Sequence, residues 1–164
     1  MPEKKTLERA EQDKQEGKSP STQAGEFVRE EMEHIREGKH GARSTKQAIA
    51  IGLSKARRAG VKLAAPQRGT TSAKTRLSAR RDSAAGRKGS RRKPNPNRSA
   101  ASSRALQREG SAAASRPALA RQARSAAAKR TRAARSQSAR MGARHRAPSG
   151  RSRSRRSGGA GKRR

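Results

Sequence analysis

The chain has no cysteine, tryptophan or tyrosine, and a single phenylalanine, Phe27. Without cysteine it has no disulfide, no thiolate nucleophile and no thiolate metal ligand, which fits a reducing compartment. Long apolar runs are absent too. Nothing approaches the roughly 20 residues of a membrane span, and the opening "MPEKKTLERAEQDKQEG" lacks the apolar region of a signal peptide. No membrane association is expected, and the expected location is the cytoplasm, at its nucleoid. Hydrophobic residues make up only 28% of 164, many of them alanine. So little apolar surface does not offset roughly 1–2 kcal/mol of backbone entropy per residue. Composition therefore predicts a mostly intrinsically disordered chain.

Acidic residues are the next scarcity. The formal net charge is +32, and its distribution is lopsided. Residues 1–37 carry ten acidic and seven basic side chains, whereas residues 38–164 carry 37 basic and two acidic, Asp82 and Glu109. Such asymmetry points to a polyanion-binding tail. Three regions follow: a charged leader over 1–18, disordered or a frayed helix; a patterned module over 19–63; and a basic tail over 64–164. The tail is rich in Arg, Ala and Ser, with irregular returns of Ala-Arg and Ser-Arg but no fixed period.

The patterned module reads as a short all-α hairpin, with helices over about 20–37 and 45–59. Ser19, Ser21 and Thr22 are alternative N-caps of the first. Phe27, Val28, Met32 and Ile35 recur at helical spacing, and Gly38 or Gly41 supplies the stop. In the second helix, Ser44 and Gln47 match an S-x-x-Q capping box. Ile49, Leu53 and Ala56 form a stripe widened by Ala48 and Gly52; Arg57 and Arg58 suit the last turn, and Gly60 suits a left-handed cap closed by Val61 over Ala56. A bare hairpin of about 40 residues is marginal. Phe27, Val28, Met32, Ile35, Ile49 and Leu53 are therefore expected to form an assembly face for a homodimer or a protein partner. Ile51, on the opposite side, is either a partner contact or a tolerated exposed aliphatic.

The stretch "KQAIAIGLSKARRAG", residues 46–60, resembles the core of a group of small basic bacterial proteins, in which "KQAIAIALSEARRAG" is the usual form. The resemblance spans about residues 19–63. This chain departs from it at Gly52 and Lys55, where Ala and Glu are commoner; glycine weakens a helix by about 1 kcal/mol relative to alanine. The group is of unknown function, and some members carry DNA-binding or plasmid-stabilisation labels. The resemblance thus implies nucleic-acid association and supplies no catalytic residue.

Signals of catalysis are missing. His34 and His40 are six residues apart and His145 lies in the tail; no HExxH, Cys/His cluster or EF-hand loop is present. The histidines read as solvated polar residues near a helix end, so no metal or other cofactor is expected. Glu30, Glu31, Glu33 and Glu37 read as a solvated helix face. "GRKGSRRKP" has neither the phosphate-loop spacing nor the Gly-Arg-Pro centre of a minor-groove hook. The expected protein is not an enzyme.

What remains is electrostatic. Residues 64–164 hold 25 Arg and five Lys. Arginine offers phosphate a planar, bidentate fork and also stacks on bases. The tail has no aromatic platform for base stacking, so recognition should be driven by the backbone and tolerant of sequence. The expected contacts are Arg57, Arg58, Arg80, Arg81, Arg91, Arg92, Lys93, Arg121, Arg124, Arg132, Arg135, Arg151, Arg153, Arg155 and Arg156. Residues 117–141, rich in Ala and Arg, are expected to become helical only when phosphate removes their mutual repulsion. The expected function is sequence-tolerant DNA binding of nucleoid or plasmid-maintenance type. RNA or ribosome association, and a protein-interaction module with a basic docking tail, are the alternatives.

Overall fold

Small hydroxyl and amide side chains, scattered where composition alone gives them no meaning, start the helices. The computed structural model describes residues 1–89 and 95–146, with side chains through 143. Seven α-helices and one 3-10 turn are present among them: α1 Lys4–Gln15, α2 Pro20–Arg36, α3 Thr45–Arg58, α4 Ala73–Arg87, α5 Pro96–Gln107, the turn Ala112–Ala114, α6 Arg116–Ala128 and α7 Arg132–Arg146. Ser19 Oγ accepts the Thr22 N–H at 3.4 Å, Ser44 Oγ that of Gln47 at 3.2 Å, and Ser72 Oγ that of Thr75 at 3.2 Å. Asn95 caps α5, Ser115 caps α6 and Thr131 caps α7 in the same way. Each satisfies an N–H that the first turn leaves without a helical partner.

The α2–α3 hairpin matches its expected bounds to within a residue. Gly38 closes α2 with φ +74, and Gly60 closes α3 with φ +96, a conformation that side chains disfavour. Behind Gly60 the hydrogen bonds are those of a Schellman motif: Gly60 N–H to Arg57 O at 3.1 Å and Val61 N–H to Ala56 O at 3.1 Å. Gly41 serves a different purpose. Its N–H reaches Leu106 O at 2.9 Å, and a Cβ there would collide with the Glu109 carbonyl.

The expectation of a mostly disordered chain around a bare hairpin is overturned. Helix α1 packs on α2, α4 packs on α3, and the 112–114 turn sits against both hairpin helices. One apolar cluster joins Met32, Ile35, Ala42, Ala48, Ala113 and Ala114, with Val28, Ile49 and Leu119 against it. A second joins Ala10, Ala24, Phe27 and Ala56, flanked by Leu53, Val61 and Leu63. Both draw on segments outside the hairpin. Counting large apolar residues misses this core because much of it is alanine, whose small side chain lets helices approach closely. Gly52 shows the same economy of space: a Cβ there would lie 2.7 Å from Val28 Cα and 3.0 Å from Phe27 O.

Residues 64–123 are tied to the hairpin by polar contacts as well. Asp82, buried on α4, accepts from Arg58 Nε at 2.7 Å and from Ser54 Oγ. Arg36 Nε donates to Ala114 O at 3.0 Å, and Thr45 Oγ1 to Ala113 O at 2.7 Å. These bonds hold a low-complexity stretch in one place because its backbone carbonyls have specific donors.

The chain divides into two compact units, Met1–Ala123 and Arg124–Arg164. The expected phosphate-induced helix over 117–141 is also corrected, since two helices, α6 and α7, are already present in the free chain. Thr131 breaks the run by accepting the Ala134 N–H at 3.2 Å, and α7 continues through Gly142 to Arg146. Local capping and the helix preference of Ala and Arg outweigh the repulsion among arginines. Among the described residues, no helix is long and apolar enough to cross a membrane.

Candidate nucleic-acid interface

Charge is segregated along the chain. Among the described residues, every cation held in an ion pair lies between Lys4 and Arg58. From Lys62 onward the described lysines and arginines are exposed, apart from half-buried Arg76. The cause is the sequence asymmetry combined with the fold. Ten acidic residues precede residue 38, and Asp82, one of the two beyond it, is buried and already engaged by Arg58 and Ser54.

Arg80 and Arg81 on α4, Arg121 and Arg124 on α6, and Arg132 and Arg135 on α7 are all exposed. Within each of the last two pairs the residues are three apart, so both lie on one side of their helix. Arg58 is exposed but held by Asp82. Arg57 does not belong with them. It is 7% exposed, its Nη2 donates to Ala64 O at 3.2 Å, and its buried Nε has no hydrogen-bond partner. Burial lowers its pKa, opposed by the charge of Asp82. Arg91, Arg92, Lys93, Arg151, Arg153, Arg155 and Arg156 lie outside the described residues.

The expected assembly face is internal. Phe27 and Ile35 are fully buried and Met32 nearly so, while Val28, Ile49 and Leu53 pack half-buried against the two clusters. Helix α1 and the 112–114 turn cover much of the stripe that a bare hairpin would have offered to a partner. Ile51 is half-buried.

Of the four glutamates expected on a solvated helix face, Glu33 and Glu37 are exposed, whereas Glu30 and Glu31 are inside. Glu31 is completely buried and Glu30 is 3% exposed. Lys55 Nζ lies 3.1 Å from Glu30 Oε1 and 2.7 Å from Glu31 Oε2. At 2.7 Å Lys55 compensates the charge at Oε2 as a close ion pair, whereas Oε1 is buried without a hydrogen-bond partner. Burial alone would lower the Lys55 pKa, but the two carboxylates more than reverse this and hold it above the ordinary value. Burial pushes the Glu30 carboxyl up. Thr6, the Glu3 N–H (3.1 Å) and Lys55 together bring it below the usual range. His34 Nε2 is 2.7 Å from Glu3 Oε1, and His40 Nε2 is 3.4 Å from Glu31 Oε1. The sequence marks this arrangement only by a basic residue, Lys55, on the helix that faces the acidic pair.

Residues 14–68 match a family described as "Family of unknown function (DUF6496)". The match runs from the end of α1 through the hairpin to Arg68, and the description gives no activity, ligand or partner. A comparison with curated proteins and one with solved structures returned no match.

Proposed function

We propose that the protein binds nucleic acid through the phosphate backbone, without catalysis and with little sequence preference, duplex DNA being the preferred polymer. The observation that carries this reading is the charge segregation. Residues before 59 balance much of their charge internally, whereas the described cations beyond them form no ion pair and, apart from half-buried Arg76, are exposed. A helix displaying arginines three or four residues apart fits the width of the DNA major groove and can reach phosphate without reading bases. The cations are already arranged on folded helices, so less ordering entropy opposes binding than for a disordered tail.

A salt titration of duplex binding by the full chain tests the proposal. Each phosphate contact contributes about −0.9 to the slope of log K against log salt, so about ten contacts weaken binding by several decades between about 50 and 200 mM. Arg132→Ala and Arg135→Ala should each reduce the slope by about one contact and leave thermal stability unchanged. Arg57→Met should alter stability and leave the slope alone. Binding that barely responds to salt overturns the reading. Structured RNA that outcompetes duplex DNA at fixed salt overturns the choice of polymer.

A further inference from the structure

We propose that Glu31, His34 and His40 form a binding site for a first-row divalent transition-metal ion, Zn2+ foremost, at the C-terminal end of α2. One donor atom from each of the three residues lies within 4.8 Å of the others. Glu31 and His34 are three apart on the same helix, which brings them to one face. His40 is returned to that face by the turn at Gly38, where Lys39 N–H bonds back to His34 O at 3.0 Å. The two imidazoles stand edge to face with ring centres 6.0 Å apart.

Two observations point from proximity toward a ligand. Glu31 has a side chain only 1% exposed, and neither of its oxygens has a hydrogen-bond partner. Lys55 compensates Oε2, but Oε1 is left buried and unsatisfied, which is rare because such an oxygen loses its hydration without replacement. Oε2 faces Lys55, while Oε1 faces His40 Nε2 and is free to bind an ion. The histidines also have the supporting contacts that metal ligands use. His40 Nδ1 lies 3.1 Å from Gly41 O; a carbonyl only accepts, so Nδ1 carries the hydrogen and Nε2 is the ligand atom of the neutral ring. His34 Nε2 donates to the Glu3 carboxylate at 2.7 Å, so in the neutral ring Nδ1 keeps the lone pair. That carboxylate–histidine pairing orients a ring and raises its basicity toward a metal. Glu3 is itself held by Lys39 at 3.3 Å.

Two nitrogens and one carboxylate oxygen suit Zn2+ and its neighbours, whereas Mg2+ and Ca2+ prefer all-oxygen shells. Three protein ligands leave a fourth tetrahedral position for water. The site joins α2 to the α2–α3 loop, and through Glu3 it reaches the start of α1. Metal binding therefore stabilises the folded hairpin.

Competitive titration of the full chain with Zn2+ against a chromophoric chelator at neutral pH tests this. The expected result is one ion per chain, weakened more than about 100-fold by His40→Gln and unchanged by His145→Gln; loss of an outer partner alone costs about 10–100-fold. Circular dichroism establishes that the His40→Gln chain keeps its helices. A second measurement needs no variant: Zn2+ should raise the melting temperature of the full chain, and excess chelator should return it. Absence of saturable binding, equal affinity in the His40→Gln chain, or a melting temperature indifferent to Zn2+ each overturns the proposal. In those cases the cluster is a proton-sharing polar network only.

Discussion

Lys55 Nζ sits 2.7 Å from Glu31 Oε2, and the pair joins α3 to α2 where the carboxylate is sealed from water. Glu30 accepts from the same ammonium at 3.1 Å and from the Glu3 N–H at 3.1 Å, so this one carboxylate on α2 ties both α3 and the start of α1. Removing one partner of such a pair leaves a buried charge without compensation. Lys55→Met should therefore cost about 3 kcal/mol. The double substitution with Glu31→Gln should recover much of that loss. Urea denaturation of the three chains checks both outcomes, and a neutral Lys55→Met would rule out a structural role for the pair.

Stability should depend on pH at both extremes. Glu30 has its folded pKa below the ordinary 4.5, so its contribution is present above that value and lost as pH falls through the folded one. Lys55 has its folded pKa above the ordinary 10.5, so its contribution is complete below that value and lost as pH rises through the folded one. Melting temperature should decline below about pH 4.5 and above about pH 10.5. Glu30→Gln should shrink the acid decline without abolishing it, because Glu3, next to His34 and Lys39, is shifted in the same direction. An acid limb unchanged in Glu30→Gln would place its origin elsewhere.

Two glycines inside helices should respond to alanine in opposite ways. At Gly52 the new Cβ meets the Val28 backbone at 2.7 Å, so Gly52→Ala must push α2 and α3 apart and should cost about 1–3 kcal/mol. At Gly25, exposed on α2, nothing lies within 4 Å. Gly25→Ala should gain about 0.5–1 kcal/mol through helix propensity. Thermal melts of both variants read the signs directly. Destabilisation at both sites would show that helix packing is not what separates them.

Truncation should expose how far the core extends. Ala113 and Ala114 belong to the cluster around Met32 and Ile35, and Asp82 holds α4 on Arg58. A fragment of residues 1–63 removes all three and should melt with little cooperativity. A fragment of residues 1–123 retains them and should unfold in one sharp transition. Calorimetry of the two fragments compares them, and equally cooperative melts would mean that the alanine contacts contribute little.

Much of the local structure was legible in the chain. The S-x-x-Q start at Ser44, the stripe of Ile49, Leu53 and Ala56 widened by Ala48 and Gly52, and the stop at Gly60 are signals between residues a few positions apart. They need no distant partner, so sequence alone locates α3. Gln47 departs in detail: its Oε1 accepts from Arg43 N–H at 3.0 Å, one residue before the cap. The uneven charge of the two halves was equally plain, and the proposed phosphate binding rests on it.

What sequence could not determine is which side chains lose water. Glu31 and Glu33 carry the same group two positions apart, yet one is sealed beneath Lys55 and the other is exposed, because helix α2 presents only one side to α3. Arg57 and Arg58 are adjacent, and the fold buries the first and leaves the second at the surface. Ala113 and Ala114 look like any other alanines of the tail until the Thr45 hydroxyl and Arg36 guanidinium engage their carbonyls. Charge and helix formation are properties of the residues and their near neighbours. Burial is a property of contacts between residues far apart in the chain, 25 positions for Glu30 and Lys55 and 78 for Arg36 and Ala114, so only the tertiary structure decided which of these cations, carboxylates and alanines belong to the interior.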